Sequence, residues 1–309
     1  MISLIVPTRN RAHTLHLVAP SYFQQEQVTE IIFVSDAGTD DTPAVIERLA
    51  AAWPRIRTRF VTNPSRLGAS ASRNIGVQMT TNDYVLFCDD DESLEPGYAR
   101  ICLEKLLRFN AGAVSGRRIY LEPGETPGVA LDRFGSGIRS TAPFRNLICE
   151  YVNAARFAGD IRLPLTNAII LTRTALLRRF PFDSAYARGN GYREESDYQM
   201  NLFVNGYDIY VTNDRHSFHL PMSQVITGGQ RANSWRRLYW SVRYTRYFFA
   251  KYYPAYAQRQ GLMAPRWLAL TAFAAFALYR ETLRRPLFAV AKAVLRQRRR
   301  FAHAASVAR

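Results

Sequence analysis

Short apolar runs, separated by polar or small residues, organise the first 90 residues of the chain. Runs of this kind bounded by Pro, Gly, Asn or Asp predict buried β-strands. The four runs lie at residues 3–8, 30–35, 56–63 and 83–88. Helical spacing between them predicts a helix near residues 41–53, with Pro43 acceptable at its first position. Strands that alternate with helices predict a mostly parallel sheet with helices on both faces.

The alternation continues less regularly after the fourth strand. Residues 111–121 are predicted to form another strand, whereas residues 122–165 are rich in Gly and Pro and have no firm period. A strand and then a helix are predicted at residues 165–180, and a helix and then a strand at residues 191–211. These elements predict one Rossmann-like α/β domain over residues 1–220.

A different pattern begins at Ser234, where aromatic and basic residues interleave at helical spacing. Between Arg266 and Arg280 lie thirteen mostly apolar residues. A membrane-spanning helix needs about 20 residues, so this segment is predicted to pack against protein or to lie along a membrane interface. Residues 221–309 are therefore predicted to form a helical, basic and aromatic-rich region that associates with a membrane.

The charge of the chain is distributed unevenly. The 309 residues carry a net charge of +16, and 48% of them are hydrophobic, which is typical of a folded protein. Residues 221–309 contain seventeen Lys and Arg but one acid, Glu281, which leaves 24 bases and 24 acids in the first 220 residues. This asymmetry indicates an anionic partner of the C-terminal region, either a membrane surface or nucleic acid.

Cysteine usage and the first residues bear on location. The three cysteines form no CxxC pair, so neither a disulfide framework nor a thiolate zinc site is indicated. The opening MISLIVPT has no basic segment or small-residue cleavage site and is predicted to be a strand rather than a signal peptide. Together with the basic tail, these features predict a cytoplasmic protein attached peripherally to the inner face of the membrane.

An acidic run, Asp89 to Glu92, directly follows the fourth predicted strand. In parallel sheets ligands bind at the carboxyl ends of the strands, and Asp36 and residues 66–74 also follow strands. Neighbouring carboxylates repel one another unless a cation balances them or water surrounds them. One hypothesis is a solvated acidic turn; the other is a Mg²⁺ or Mn²⁺ ion that shares its shell with substrate phosphates.

Five segments in order resemble glycosyltransferase family 2. They read SLIVPTRNR, IIFVSDAGTDDT, NPSRLGASASRNIGV, YVLFCDDDESLEPG and GYREESDYQMNLFVNGYDIYV. The resemblance covers roughly residues 2–220. It implies a GT-A fold, an inverting transfer of a sugar from a nucleotide-diphosphate donor, and a divalent metal on the diphosphate.

The resemblance also implies which residues bind the donor nucleotide. Pro7 and Thr8 match the end of the first strand, where the family's chain contacts the nucleoside. Asp36 matches the aspartate that holds the base or ribose, although Ser35 replaces the acid often found before it. Arg73 and a following Asn74 match the segment that lines the nucleotide pocket.

A metal site with Mg²⁺ or Mn²⁺ is implied at the acidic run. Asp89 and Asp91 match the family's spaced pair, with Asp91 as the expected direct ligand and Asp89 close to the donor. His219 is placed to complete the site, or else it is a structural histidine. Arg231, in a Gly-containing loop, is either a clamp on the diphosphate or part of a surface turn.

The catalytic base is expected at the acidic start of the helix near residue 194. The resemblance implies Glu195 as the base, with Asp197 as the second candidate. Acids in the first turn of a helix also interact favourably with its dipole, by about 0.3–1 kcal/mol, so helix capping is the alternative.

These features predict a metal-dependent glycosyltransferase acting on a lipid-linked or cell-envelope glycan acceptor. Three alternatives stay open. One is a transferase-like scaffold without activity, against which the intact acidic motifs argue. A nucleic-acid-binding protein would explain the basic tail but not the acids at the strand ends. A haloacid-dehalogenase-like phosphatase shares a loosely similar acidic motif, but in that class the acids follow the first strand.

Overall fold

The computed structural model describes residues 1–135, 142–153, 155–227 and 233–283. Two sequence predictions, Arg231 and the basic segment after residue 283, lie outside these ranges. Among the described residues, no helix combines the length and the apolar character needed to cross a bilayer.

Eleven strands are present in the described residues. They are β1 (Ile2–Thr8), β2 (Val28–Ser35), β3 (Arg57–Thr62), β4 (Tyr84–Phe87), β5 (Glu92–Leu94), β6 (Ala113–Tyr120), β7 (Phe144–Arg145), β8 (Glu150–Tyr151), β9 (Asp160–Leu163), β10 (Ile170–Arg173) and β11 (Ile209–His219). One sheet has the order β3-β2-β1-β4-β10-β6-β11-β5, with β9 added beside β11, while β7 and β8 form a separate pair.

Ten α-helices accompany these strands in the same parts of the chain. They are α1 (Ala12–Val18), α2 (Pro20–Phe23), α3 (Thr42–Ala52), α4 (Ala69–Met79), α5 (Tyr98–Arg108), α6 (Pro127–Gly135), α7 (Thr174–Arg179), α8 (Glu194–Val204), α9 (Ser234–Gln260) and α10 (Arg266–Leu278). A 3₁₀ turn covers Ser184–Tyr186, and a π-helical turn, Tyr279–Leu283, follows α10.

The first four strands form the parallel part of the sheet. β1 pairs in parallel with β2 and β4, and β2 pairs in parallel with β3. β1 is almost wholly buried because helices cover both faces, which explains its nearly continuous apolar run. Gly76 lets α4 approach this strand closely: a Cβ there would lie 2.6 Å from Ile5 Cγ2.

The second part of the sheet mixes strand directions. β10 is antiparallel to both β4 and β6, whereas β6 and β11 are parallel. β11 shifts register between Thr212 and His216, and its last residue, His219, pairs with Tyr120. The prediction of an α/β fold with a large helix-flanked sheet is confirmed, and its strands are parallel mainly in the first 90 residues.

The C-terminal helices share a core with the sheet. Phe248, Phe249 and Tyr256 of α9 are buried in one cluster with Met200 of α8 and Val211 of β11. α10 packs back on α9 through Ala269 and Phe273. The described part of the chain after residue 233 is helical, as predicted, but many aromatic side chains of α9 face protein rather than solvent.

Candidate active site

A polar cavity of about 880 Å³ opens at the carboxyl ends of the parallel strands. Segments from both parts of the sheet and from the C-terminal helices line it. The sequence-predicted residues on its wall are Pro7, Thr8, Asp36, Arg73, Asp89, Asp91, Glu195 and His219. The cavity therefore brings together eight side chains that come from distant parts of the sequence.

Two arginines hold Asp89. Its Oδ1 lies 3.2 Å from Arg73 Nη2, and its Oδ2 lies 3.0 Å from Arg118 Nη2. Burial by itself would raise the pKa of Asp89, but Arg118 and Arg73 lower it below its usual value. Arg118 also forms an ion pair with the fully buried Glu92. Asp89 is thus an ionised carboxylate with both oxygens engaged.

A third arginine faces the rest of the acidic run. Arg11 Nε lies 3.3 Å from Asp90 Oδ1, and Arg11 Nη2 lies 3.5 Å from Asp91 Oδ2. Burial raises the pKa of Asp90 to about 7, although Arg11 opposes this shift. The run is therefore not a solvated turn: it is largely buried, and Arg11, Arg73 and Arg118 balance part of its negative charge.

Asp91 and His219 converge on the cavity. His219 Nδ1 lies 2.7 Å from the carbonyl oxygen of Leu220 and donates to it, so a neutral ring has its lone pair at Nε2. That Nε2 lies 3.6 Å from Asp91 Oδ1. No group of three or more His, Cys, Asp and Glu in the described ranges is placed to hold a metal. The protein thus offers two neighbouring ligand atoms here.

Asp36 organises the loop before α4. Its Oδ1 accepts hydrogen bonds from Asn63 Nδ2 at 3.1 Å and from the Leu67 amide at 2.7 Å. Its Oδ2 accepts one from the Gly68 amide at 3.0 Å. The carboxylate is buried and faces the cavity while it fixes this loop.

Arg73 joins the two acidic segments of the site. It forms an ion pair with the buried Glu194, and its Nη2 lies 3.2 Å from Glu195 Oε1 as well as from Asp89. Burial would lower the pKa of Arg73, but Glu194, Glu195 and Asp89 raise it. Glu195 is the more exposed of the two glutamates that begin α8, with 28% of its side chain accessible at the cavity wall.

Asp197 faces away from the cavity wall. It accepts hydrogen bonds from Lys251 Nζ at 2.8 and 2.9 Å, from the Tyr186 hydroxyl at 2.8 Å and from the Tyr252 hydroxyl at 3.0 Å. These contacts tie the start of α8 to α9. Its buried position indicates a structural role in the link between the two helices.

Asn74 also points into the protein. Its Nδ2 donates to the Phe182 carbonyl at 2.8 Å, and its Oδ1 accepts from the Phe182 amide at 3.0 Å. Asn74 thus fixes the segment before the 3₁₀ turn and is not among the described residues that line the cavity.

The loop that leads into α8 has an unusual backbone. Gly189, Gly191 and Arg193 all have positive φ, at 70°, 62° and 78°. α9 supports this loop from behind, since the Tyr244 hydroxyl donates to the Arg188 carbonyl at 2.5 Å. A Cβ at Gly189 would overlap the ring of Trp240.

We expect Gly189→Ala to disrupt this loop. The left-handed conformation costs a non-glycine residue about 1–2 kcal/mol, and overlap with Trp240 adds about 1–3 kcal/mol. Denaturant unfolding measures the change. Gly206→Ala is the matched control, because Gly206 has a φ of 95° and a Cβ added there would meet no atom within 4 Å. An equal loss of stability in both variants would contradict the predicted overlap.

Arg118 and Arg11 belong to the site but were not among the residues predicted from the sequence. Each nevertheless has a signal in the sequence. Arg118 lies in the strand predicted at residues 111–121, and a charged side chain that is buried in a strand needs a partner. Arg11 follows the first strand and the acidic run follows the fourth, so both lie at the same edge of the sheet.

A match to a protein family defines the class of this protein as a glycosyltransferase. The sequence profile of Glycosyl transferase family 2 matches residues 3–184, which is more than half of the chain. The chain belongs to this family, which confirms the resemblance in its sequence.

Curated relatives match over shorter stretches. The GalNAc(5)-diNAcBac-PP-undecaprenol beta-1,3-glucosyltransferase of Campylobacter jejuni is 31% identical over 105 residues, 34% of this chain and 34% of the relative. Succinoglycan biosynthesis protein ExoO of Rhizobium meliloti is 29% identical over 105 residues, 34% of this chain and 29% of the relative. These matches span about a third of each relative's length.

Solved structures share the fold. S. aureus TarS 1-349 in complex with UDP-GlcNAc aligns with a TM-score of 0.57 and 15% identity, over 90% of this chain and 72% of that one. Mannosyltransferase PcManGT from Pyrobaculum calidifontis, in complex with GDP-Man and Mn²⁺, aligns with a TM-score of 0.57 and 19% identity, over 95% and 79%. These likenesses agree with the predicted GT-A fold.

Proposed function

We propose that this enzyme is an inverting glycosyltransferase that uses a nucleotide-diphosphate sugar and a lipid-linked or cell-envelope glycan acceptor. The observation that carries the proposal is the convergence of three groups on one cavity: Asp36, the Asp91–His219 pair and Glu195. They come from separate segments of the chain and suit a nucleoside, a diphosphate and an acceptor hydroxyl respectively.

The donor is assigned to the side of the cavity formed by the first strands. Pro7, Thr8 and Asp36 line this part of the cavity, which supports their proposed contact with the nucleoside. Complexes of the fold relatives with UDP-GlcNAc and with GDP-Man support a nucleotide-sugar donor. Arg73 also lines the cavity, and its positive charge suits the neighbouring diphosphate.

A divalent cation fits the pair formed by Asp91 and His219. One carboxylate oxygen and one imidazole nitrogen, 3.6 Å apart, leave the remaining positions for water and donor phosphates. Mg²⁺ and Mn²⁺ bind carboxylate oxygens, and Mg²⁺ commonly fills the rest of its shell with water and substrate phosphates. Such an ion would neutralise charge that develops on the leaving diphosphate. Asp89, whose two oxygens contact Arg73 and Arg118, would hold these two arginines in position beside the diphosphate.

Glu195 is proposed as the general base. It would accept the proton of the acceptor hydroxyl while that oxygen bonds to the anomeric carbon. The bond from this carbon to the diphosphate oxygen breaks on the opposite face, and the nucleoside diphosphate leaves. Arg73 holds Glu195 at the cavity wall, 3.2 Å away.

The acceptor is proposed to be lipid-linked, and the enzyme to act at the cytoplasmic face of the membrane. The Campylobacter jejuni relative, whose name includes PP-undecaprenol, supports this class of acceptor. The basic residues after residue 220 suit an anionic lipid surface.

Family membership argues against the phosphatase and nucleic-acid-binding alternatives, since neither accounts for the match to a glycosyltransferase family.

We expect one class of nucleotide sugar to protect the full chain against thermal unfolding when Mn²⁺ is present. A ligand at 100 times its dissociation constant stabilises the native state by about 2.7 kcal/mol. Thermal unfolding with a panel of UDP, GDP and CMP sugars, with Mn²⁺ or with a chelator, measures this effect. Protection by none of the donors would argue against the proposed function, and protection that persists with the chelator would argue against the metal.

A further inference from the structure

The helix α10 is apolar around its whole circumference. Its inner side is buried in the protein through Ala269, Phe273 and Ala277. No charged residue occurs between Arg266 and Arg280. A helix on the surface of a protein usually carries polar residues on its outer side, and a helix that is apolar all round is normally covered.

The outer side of α10 is exposed. We call it the α10 outer face, and its residues are Trp267, Leu268, Thr271, Ala275, Leu278 and Tyr279 of the following turn. The Trp267 side chain is 68% exposed and Tyr279 is 46% exposed. The hydroxyl of Thr271 donates to the Trp267 carbonyl at 2.9 Å, so it needs no outside partner.

We propose that the α10 outer face docks onto an anionic membrane surface, with the helix lying along the interface. The proposal deepens the proposed function, on which it rests, by naming the surface that brings the enzyme to a lipid-linked acceptor. Trp267 near one end and Tyr279 at the other are the residue types that favour the boundary between lipid and water. Arg266 is exposed at the start of the helix, where its long side chain can reach headgroups.

The positive charge of the chain favours an anionic membrane on the α10 outer face over two other occupants, a second copy of the chain and the chain's own residues 284–309. A second copy of the chain would bring another net charge of +16 to the same face. The chain's own residues 284–309 contain eight Lys and Arg and no acid, so they would also add like charge. An anionic surface is attracted by all of these cations, each contributing favourably near the headgroups.

The C-terminal end of α10 lies next to the proposed catalytic cavity. Arg280 and Glu281, directly after α10, line the cavity, and Glu281 forms an ion pair with Arg237 of α9 at 2.8 Å. Arg280 also contacts Glu150 at 3.1 Å. A membrane docked on the α10 outer face would therefore lie next to one wall of the cavity.

Vesicle binding by the full chain tests the docking surface. We expect sedimentation with vesicles that contain phosphatidylglycerol and weaker sedimentation with phosphatidylcholine alone. Trp267→Ser combined with Leu268→Ser should weaken binding to the anionic vesicles roughly tenfold or more, because two exposed apolar side chains are lost from the interface. Binding should also weaken as salt increases.

Exposed leucines elsewhere provide the matched control. Leu17→Ser combined with Leu107→Ser removes two exposed apolar side chains from α1 and α5. This variant should bind vesicles as the unmodified chain does. The proposal would be overturned if both double variants bound anionic vesicles as the unmodified chain does. It would also be overturned if both lost vesicle binding to the same extent.

Two further results would assign the face to another occupant. A dimer that dissociates in the Trp267→Ser, Leu268→Ser variant without lipid would indicate a second copy. Increased hydrogen exchange in residues 284–309 of that variant without lipid would indicate the chain's own tail. Each outcome would overturn membrane docking by this face.

Donor hydrolysis without lipid separates this proposal from the proposed function. The Trp267→Ser, Leu268→Ser variant should hydrolyse or bind the nucleotide sugar as the unmodified chain does. If the unmodified chain binds anionic vesicles through this face but no nucleotide sugar, the proposed function fails and the docking surface stands.

Discussion

Replacement of Asp91 by alanine is expected to abolish sugar transfer and metal-dependent donor binding. Asp91 is the acid of the run that faces His219, at 3.6 Å, while Asp89 is held on both oxygens by arginines. Loss of one of the two proposed ligand atoms should weaken Mn²⁺ binding in the presence of nucleotide by at least about tenfold. Calorimetric titration of Mn²⁺ and a transfer assay measure the two effects.

Asp132→Ala is the matched control for this prediction. Asp132 is an exposed aspartate of α6 that does not line the cavity. The control should retain both metal binding and transfer. Turnover at the unmodified rate in Asp91→Ala would remove the metal assignment, whatever the control shows. His219→Gln, with its imidazole replaced by an amide, should show a smaller loss of Mn²⁺ affinity.

The second large effect is expected at Glu195. Glu195→Gln should retain donor binding and thermal stability but lose turnover by about 10²–10⁴-fold, because the amide cannot accept the proton of the acceptor hydroxyl. The amide oxygen of glutamine can still accept a hydrogen bond from Arg73 Nη2, which lies 3.2 Å from Glu195 Oε1, and the side chain is partly exposed at the cavity wall. Steady-state kinetics with a glycan acceptor measure the loss of turnover, and titration with the donor checks that donor binding is retained.

Asp197→Asn provides the contrast two positions along the same helix. Asp197 is buried against Lys251, Tyr186 and Tyr252, so its loss should lower stability by roughly 2–3 kcal/mol. A variant that keeps its stability but loses turnover would place the base at Asp197 instead. An unchanged rate in Glu195→Gln would likewise move the base away from Glu195.

Neighbouring side chains of one motif can point in different directions, which limits what a motif predicts. Successive residues of an α-helix point about 100° apart. Arg73 and Asn74 are adjacent in α4, yet Arg73 lines the cavity and Asn74 binds the Phe182 backbone. A family motif identifies the segment, but the rotation of the helix decides which of its side chains reaches the cavity.

The aromatic C-terminal region shows a second limit. Its composition predicts helices and an apolar face, but the same rings can cover a protein core or meet a lipid surface. In α9, Phe248, Phe249 and Tyr256 pack in the core, whereas Trp267 of α10 is exposed. Burial depends on which other elements are nearby, and those contacts are far apart in the sequence.

The sequence by itself determined the α/β fold, the family and the edge of the sheet where the polar segments meet. It could do so because strand and helix periodicity is local, and because parallel strands place their carboxyl ends together. Only the tertiary structure decided how the acidic run is balanced. Arg118 and Arg73 reach Asp89, and Arg11 reaches Asp90, across separations that no local pattern records. Charge pairing depends on distance in space, so it becomes visible only when the chain is folded.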